Sequence, residues 1–282
     1  MKSHKKTPQH DLEAIMPILI GVWRRFHKLS GPADKLQTRE FRSVVEAVQA
    51  LQARSHKGVS LIGQDYFKDR DLVGAYLLYD WVVHYQQGLS LLGELPATPR
   101  RVLDVCSGAA PFAFAALRHG ATEVFATDQN AVALQLGGEV CGRYGLPLTV
   151  RQWNCLKQPC PIEGKFDLVI MAHCLEELFP PTAKGWTEHQ NAFVKSMMRL
   201  LTPEGHLLIV DRHQPVPGFD VGQACGRIHS HAHDDDPGAR RSHIDGNHGG
   251  TRKRRLGRGA EEVAQGLVRT GSAFVFPRSR HP

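Results

Sequence analysis

Two acids, each closing a short apolar run, are the residues of this chain whose types and spacing best suit chemistry. Val102-Leu103-Asp104 leads into a loop of small residues, Val105-Cys106-Ser107-Gly108-Ala109-Ala110-Pro111. Further on, Glu123-Val124-Phe125-Ala126-Thr127 leads into Asp128. A strand-to-helix turn built from small residues lets backbone approach a bound molecule closely, and the helix that follows offers unpaired N–H groups. An acid at the end of the next strand can accept the hydroxyl hydrogens of a nucleoside ribose, as in dinucleotide-binding folds. Together the two acids point to a nucleoside-containing ligand at one edge of a sheet.

A second group of reactive residues follows the later apolar run Phe166–Met171, in Ala172-His173-Cys174-Leu175-Glu176-Glu177-Leu178. His173 is the candidate catalytic residue, since an imidazole can take a proton near neutral pH; a loop-shaping role for the same side chain stays equally open. Cys174 could attack a pyrimidine ring, but a small buried thiol is the favoured reading. Glu176 and Glu177 suit the first turn of a helix better than a catalytic pair. Cys155 and Cys160 lack partners at metal-ligand spacing, and the histidine-rich stretch 229–233 lacks the supporting shell a structural metal needs, so no metal is expected. Tyr76, Tyr79, Trp81 and Tyr85 recur at helical spacing. Packing against a sheet is favoured for this set, with base stacking beside Lys68, Arg70 and His84 as the alternative.

Positioning the two acids requires strands that end on one edge. Val102–Asp104, Glu123–Asp128, Leu148–Val150, Phe166–Met171 and His206–Val210 read as five strands. Helices fall between them at Ala109–Leu117 and Asn130–Tyr144. Alternation of this kind predicts an α/β fold, a Rossmann-like, mostly parallel sheet flanked by helices, and right-handed crossovers put every strand's C-terminal end on the same edge. Upstream, apolar residues at helical spacing mark three segments. The first runs from Asp11, a plausible N-cap, to Gly31-Pro32, with Pro17 kinking or starting it. The second covers Leu36–Leu51 and the third Asp69–Leu95. These predict an N-terminal helical region over 1–98, a core domain over 99–217 and a tail over 218–282. Large apolar residues are rare in most of that tail, and Gly, His, Arg and Asp crowd it, including Arg252-Lys253-Arg254-Arg255. It is expected to be disordered. Its composition resembles out-of-frame translation of a GC-rich gene. Phe274-Val275-Phe276 could supply part of one edge strand.

The first loop resembles the opening motif of the class I S-adenosylmethionine-dependent methyltransferases, an acid followed by a Gly-x-Gly-x-Gly-like turn. Gly108 stands at the middle glycine, while Cys106 and Ala110 occupy the outer two. Asp128 matches the superfamily's ribose-binding acid, and Trp153-Asn154-Cys155 fall where its adenine contacts usually lie. Leu201-Thr202-Pro203-Glu204-Gly205 resembles its turn before the fifth strand. The resemblance spans Arg100 to Asp211. It implies S-adenosyl-L-methionine as cofactor, bound through Asp104, Cys106, Gly108, Ala110, Asp128, Gln129, Asn154 and Cys155. A nicotinamide-dependent oxidoreductase is disfavoured, because its fingerprint needs three glycines directly after the strand.

A narrower resemblance lies upstream. Ala75-Tyr76-Leu77-Leu78-Tyr79-Asp80-Trp81-Val82-Val83-His84-Tyr85, then Leu92-Gly93-Glu94-Leu95, is similar to the lead-in of the ribosomal small-subunit-associated methyltransferase-like family of bacteria and mitochondria. That match covers Asp71 to Pro217, including Asp211-x-His213-Gln214-Pro215. It implies action on RNA or at the small ribosomal subunit. Some members carry an iron–sulfur cysteine cluster further on, where this chain has only Cys225, so no cluster is expected. The loop after the fourth strand lacks the Asp/Asn-Pro-Pro-aromatic motif of enzymes that methylate base amines, which disfavours that device. Two alternatives are a non-catalytic ribosome-assembly factor with the same fold and a small-molecule methyltransferase.

Bulk properties set outer limits. The formal charge of +7 favours polyanionic partners such as rRNA, although much of the excess lies near the chain ends. No apolar run approaches the ~18 residues that cross a bilayer, so no membrane association is expected. Asp11, Glu13 and Pro17 interrupt any export signal after the basic start. Six scattered cysteines without a CxxC pair fit reduced thiols in a cytoplasmic setting.

Overall fold

A computed structural model describes residues 8–56, 69–180, 183–211 and 273–277. Helix α1 (Pro8–His27) runs through Pro17 and starts ahead of Asp11, so the expected N-cap lies inside the helix. Helix α2 (Thr38–His56) follows. The third predicted segment is one helical rod with an irregularity inside it. Arg70–Ala75 (α3) passes into a π-helical turn, Tyr76–Asp80, and continues as α4 (Trp81–Leu92).

Strand β1 (Arg101–Val105) leads to α5 (Pro111–His119), and β2 (Glu123–Asp128) leads to α6 (Ala131–Tyr144). Next come β3 (Leu148–Gln152), β4 (Phe166–Ala172), the single turn α7 (Leu175–Leu178), α8 (Trp186–Met198) and β5 (Leu201–Val210). Strand β6 (Ala273–Pro277) completes the set. Pro at the first position of α5 costs nothing, because that N–H has no helical partner. The Asn130 side chain caps α6 by accepting from Val132 and Ala133 at 3.0 and 3.1 Å.

The sheet order is β3-β2-β1-β4-β5-β6. The first five strands are parallel and β6 is antiparallel to β5, with Leu208 opposite Val275. The order reverses between β1 and β4, so the loops after β1 and β4 diverge there and open a crevice at the strands' C-terminal edge. Within 218–282, read as a disordered tail, Ala273–Pro277 forms this edge strand instead. Its run of Phe274-Val275-Phe276 has the apolar, β-favouring side chains such an edge needs. The rest of 218–282 lies outside the described residues. So do His213, Gln214, Lys68, the histidine run, Arg252–Arg255 and Cys225.

The fifth strand begins earlier than expected. Phe166 pairs with Leu201 and Leu168 with His206, so Thr202–Gly205, read as a turn, bulges out between two paired positions. A Cβ on Gly205 would sit 2.8 Å from the Phe166 carbonyl oxygen, so only glycine fits.

Alternate residues of each strand enter two buried layers. Val102, Val124, Ala126, Leu168, Ile170, Leu208 and Val210 join the layer shared with α1, α4, α5 and α6. Leu103, Val105, Val169, Met171, Leu207 and Ile209 pack with Phe193, Val194 and Met197 of α8. The N-terminal helices therefore share a core with one face of the sheet. A bidentate pair ties α1 to α2: Arg24 donates to Glu40 at 2.9 and 2.6 Å, with both side chains buried.

Candidate active site

The turn between β1 and α5 departs from ordinary backbone geometry at three residues. Cys106, Gly108 and Ala110 all have positive φ, at 56°, 55° and 60°. Only glycine adopts this region without cost, so Cys106 and Ala110 hold strained backbone that the surrounding packing must enforce. At Gly108 space decides as well: a Cβ there would lie 2.7 Å from the Tyr76 phenol oxygen. Crowding comes from the other side too, since a Cβ on Gly137 of α6 would lie 2.7 Å from the Ala109 carbonyl.

Asp128 anchors the loop. Its carboxylate accepts the Gly108 amide at 2.9 Å on one oxygen and the Asn130 amide at 2.8 Å on the other. Parallel ladder contacts reinforce the register, with the Ser107 amide bonded to the Thr127 carbonyl at 2.9 Å and the Thr127 hydroxyl to the Asp104 carbonyl at 3.1 Å. Burial raises the Asp128 carboxyl above the ordinary range, opposed by the amides of Asn130, Gly108 and Gln129. Asp104 is more extreme. It is 1% exposed, accepts the Ala113 amide at 3.0 Å, and is pushed up to about 8 chiefly by burial.

Beyond Asp128 a cavity of about 410 Å³ is lined by Gln129, Gln152, Trp153, Asn154 and Gln158. The Gln152 amide donates to the Gln129 carbonyl at 2.9 Å, and the Asn154 amide reaches the Gln129 side chain at 3.4 Å. Trp153 is buried beneath, donating from its indole to the Gln158 carbonyl at 3.0 Å. Four amide side chains thus surround a half-open space, each with donors and an acceptor.

The helical rod reaches the same loop. Trp81 donates from its indole to the Ala109 carbonyl at 2.9 Å, and the Ala109 amide bonds the Tyr76 phenol. Tyr76 and Trp81 bracket the π-helical turn, whose wide hydrogen bond runs from the Trp81 amide to the Tyr76 carbonyl. In a regular α-helix residues five apart point about 140° away from each other. The extra residue of the π turn brings both rings onto one loop residue. Trp81 and Tyr85 are buried, so the core reading holds for them; Tyr79 is exposed.

His173 stands elsewhere. It follows β4 with φ of 55° and donates its amide to the Val210 carbonyl at 2.6 Å. Its ring stacks on His84 at 4.3 Å and meets Gln87 of α4 through Nε2 at 3.0 Å. It is not among the residues lining the cavity. Glu176 begins α7 with its amide on Asp211 at 3.2 Å, in keeping with a helix-starting role.

The predicted site residues fall into three groups. Gln129 and Asn154 line the cavity, and Gly108 is bonded to Asp128, the residue before Gln129. Cys106 and Cys155 touch, sulfur to sulfur, at 3.6 Å. Asp104 and Ala110 lie wholly buried under the loop and hold the start of α5. Gln152, Gln158, Tyr76 and Gln87 were not singled out as site residues from sequence. Gln152 ends β3 at the sheet's C-terminal edge, a positional signal that was available; the others reach the site only through packing.

Residues 102–205 match the family model described as a methyltransferase domain. Solved structures similar to the chain include the YcgJ protein of Bacillus subtilis, at 20% identity over 47% of this chain and 53% of that one, TM-score 0.38. Another is the amino pentose methyltransferase CalS10 of Micromonospora echinaspora, with S-adenosylmethionine bound, at 18% identity over 49% and 54%, TM-score 0.38. A third is the N-methyltransferase NodS of Bradyrhizobium japonicum, in complex with S-adenosyl-L-homocysteine, at 19% identity over 45% and 59%, TM-score 0.36. The chain spans a little over half the length of these structures. No curated protein sequence matches it.

The residues around Asp128 suit a nucleoside-containing cofactor such as S-adenosylmethionine. Asp128 is ionisable, half-buried and fixed in plane by amides on both oxygens, and a carboxylate has about four acceptor sites, leaving capacity for a ribose hydroxyl. The amide-lined cavity suits the donor and acceptor edges of a nucleobase.

Proposed function

We propose that this chain transfers methyl groups from S-adenosylmethionine, with RNA or the small ribosomal subunit as the acceptor, in a cytoplasmic setting. The single observation that carries the cofactor half is Asp128, which bridges the Gly108 and Asn130 amides and directly precedes Gln129 of the amide-lined cavity. When bound, S-adenosylmethionine supplies an activated methyl group on a sulfonium. Asp128 and Gly108 would hold the ribose end, while Gln129 and Asn154 would meet the base. Cys106, Ala110 and Asp104 shape and support the loop beneath. In-line transfer from a sulfonium depends mainly on orientation and exclusion of water, so these residues need supply no general base. His173, held by Gln87 and His84 beside α4, is the residue after β4 that would orient an acceptor.

The RNA half rests on the formal charge of +7 and on the tyrosine-rich segment of the rod, which resembles the ribosome-associated family. Tyr79 and Val83 leave that rod's outer face partly apolar, at 44% and 48% exposure.

Calorimetric titration of S-adenosylmethionine into the full chain tests the cofactor site. The wild type is expected to bind, and Asp128→Ala to weaken binding by at least about tenfold, as loss of hydrogen bonds to a charged group costs ~1.5–3 kcal/mol. A folded wild type that does not bind would end the methyl-transfer reading and favour the assembly-factor alternative.

A further inference from the structure

Three cysteines from three loops converge beside the cofactor loop. Cys106 follows β1, Cys155 follows β3 and Cys174 follows β4. The Cys106 and Cys155 sulfurs are 3.6 Å apart, and Cys106 also bonds the Cys174 thiol behind it. No group of three or more His, Cys, Asp or Glu among the described residues is arranged to hold a metal ion. Van der Waals contact between sulfurs is unusual without a reason, because a thiol is a weak donor and gains little from another thiol.

We propose that Cys106 and Cys155 are a covalent modification site, forming a reversible disulfide that closes the cofactor cleft. The closing movement is short, about 1.5 Å from the present contact to a bonded pair at ~2.05 Å. Cys106 occupies an outer glycine position of the loop at positive φ, where strained backbone resists the seated geometry. Cys155 adjoins Asn154 on the cavity wall, and its other neighbour Leu156 is 50% exposed. A bond between them would lock the loop after β1 to the segment that carries Asn154 of the cavity wall, fixing the loop against the adjustment a nucleoside needs. This consequence for binding rests on the cofactor reading above; the bond itself does not.

The oxidant is a low-molecular-weight disulfide. The Cys155 thiolate attacks one of its sulfurs, forming a mixed disulfide and releasing one thiolate. Cys106 then attacks the Cys155 sulfur of that mixed disulfide, forming the protein disulfide and releasing the second thiolate. Two protein thiols are oxidised, the reagent is reduced to two thiols, and the protons lost from Cys155 and Cys106 go to the leaving thiolates. Contact with Cys106, then burial, raises the Cys155 thiol. Exchange is therefore slow at neutral pH and faster as pH rises, because the thiolate is the nucleophile. Cys174 is 4% exposed and lies behind Cys106, so it is not the residue the reagent meets first.

The test treats the full chain with oxidised glutathione at mildly alkaline pH, then maps peptides without reduction and titrates S-adenosylmethionine by calorimetry. A Cys106–Cys155 cross-link is expected, with affinity lowered at least about tenfold and restored by reductant. Cys174→Ser is expected to form the same cross-link. Cys155→Ser is expected to show the same affinity before and after oxidant. Glutathione adducts without a cross-link, or a cross-link joining other cysteines, would overturn the site. A correct cross-link that leaves affinity unchanged would overturn the closure. If the reduced protein does not bind S-adenosylmethionine at all, the cofactor reading fails, while peptide mapping still decides the bond.

Discussion

Asp104 and Asp128 end neighbouring strands, yet their surroundings give them different duties. Asp128 is half-buried and bonded to three backbone amides. Asp104 is buried with one amide partner, and its carboxyl lies at about 8. An unfolded Asp titrates near 3.9. Between roughly pH 4 and 8 the folded chain therefore holds a proton that the unfolded chain has lost. Stability contributed by this group is fully present below the unfolded value and is lost as pH rises through that window. The slope has an upper limit of about 1.4 kcal/mol per pH unit for one group. Denaturant unfolding from pH 5 to 8 is expected to show this decline, and Asp104→Asn, which can still accept the Ala113 amide, is expected to flatten it. An Asn variant with the same slope as wild type would mean that Asp104 is ionised throughout.

The π-helical turn at Tyr76–Asp80 is the element that couples the helical rod to the loop between β1 and α5. One loop residue, Ala109, has both backbone groups taken by that rod, its carbonyl by Trp81 and its amide by Tyr76. Without these partners Ala109 would leave polar backbone in the core, which costs free energy. Tyr76→Phe keeps the ring and removes the acceptor. It is expected to cost about 1–3 kcal/mol, the price of an orphaned buried amide, and to weaken S-adenosylmethionine severalfold as the loop relaxes. Chemical denaturation and calorimetry together separate the outcomes. Lost stability with unchanged affinity would show that the turn supports the fold without setting the loop.

At the scale of the whole molecule the charge sets the expected partner. A formal charge of +7 attracts phosphates at long range, and contacts with them release counterions. Binding to a small-subunit rRNA fragment is expected to weaken steeply with salt, with a log–log slope of ~0.7–0.9 per phosphate contacted. Filter-binding or fluorescence titration at several salt concentrations measures this slope. Absence of binding at low salt would remove the RNA acceptor and favour a small-molecule one. Among the described residues no helix is long and apolar enough to cross a membrane.

How much of this was legible from sequence differs by kind of feature. The alternation of β1 through β5 with helices was readable because strand and helix periods are local, and a parallel order forces both acids to one edge. Asp128 and Gly108 were readable for the same reason, since each sits at a strand end or in the turn beside it. Lone contacts between distant segments were not. Trp81 to Ala109, Gln87 to His173 and Cys106 to Cys155 join positions 28, 86 and 49 residues apart, and no local pattern encodes which side chains meet. The π turn was hidden because its apolar spacing passes for an ordinary helix. Strand β6 was nearly lost in a low-hydrophobicity tail, because an edge strand draws its partner from β5 rather than from its own neighbours. By itself the sequence determined the class of fold and the sheet edge at which the two acids lie. Tertiary structure decided that Asp104 serves the fold from within the core, that Asp128 ties Gly108 to Asn130, and that a helical rod holds the loop. Burial and long-range contact make those assignments, and both exist only once the chain has closed on itself.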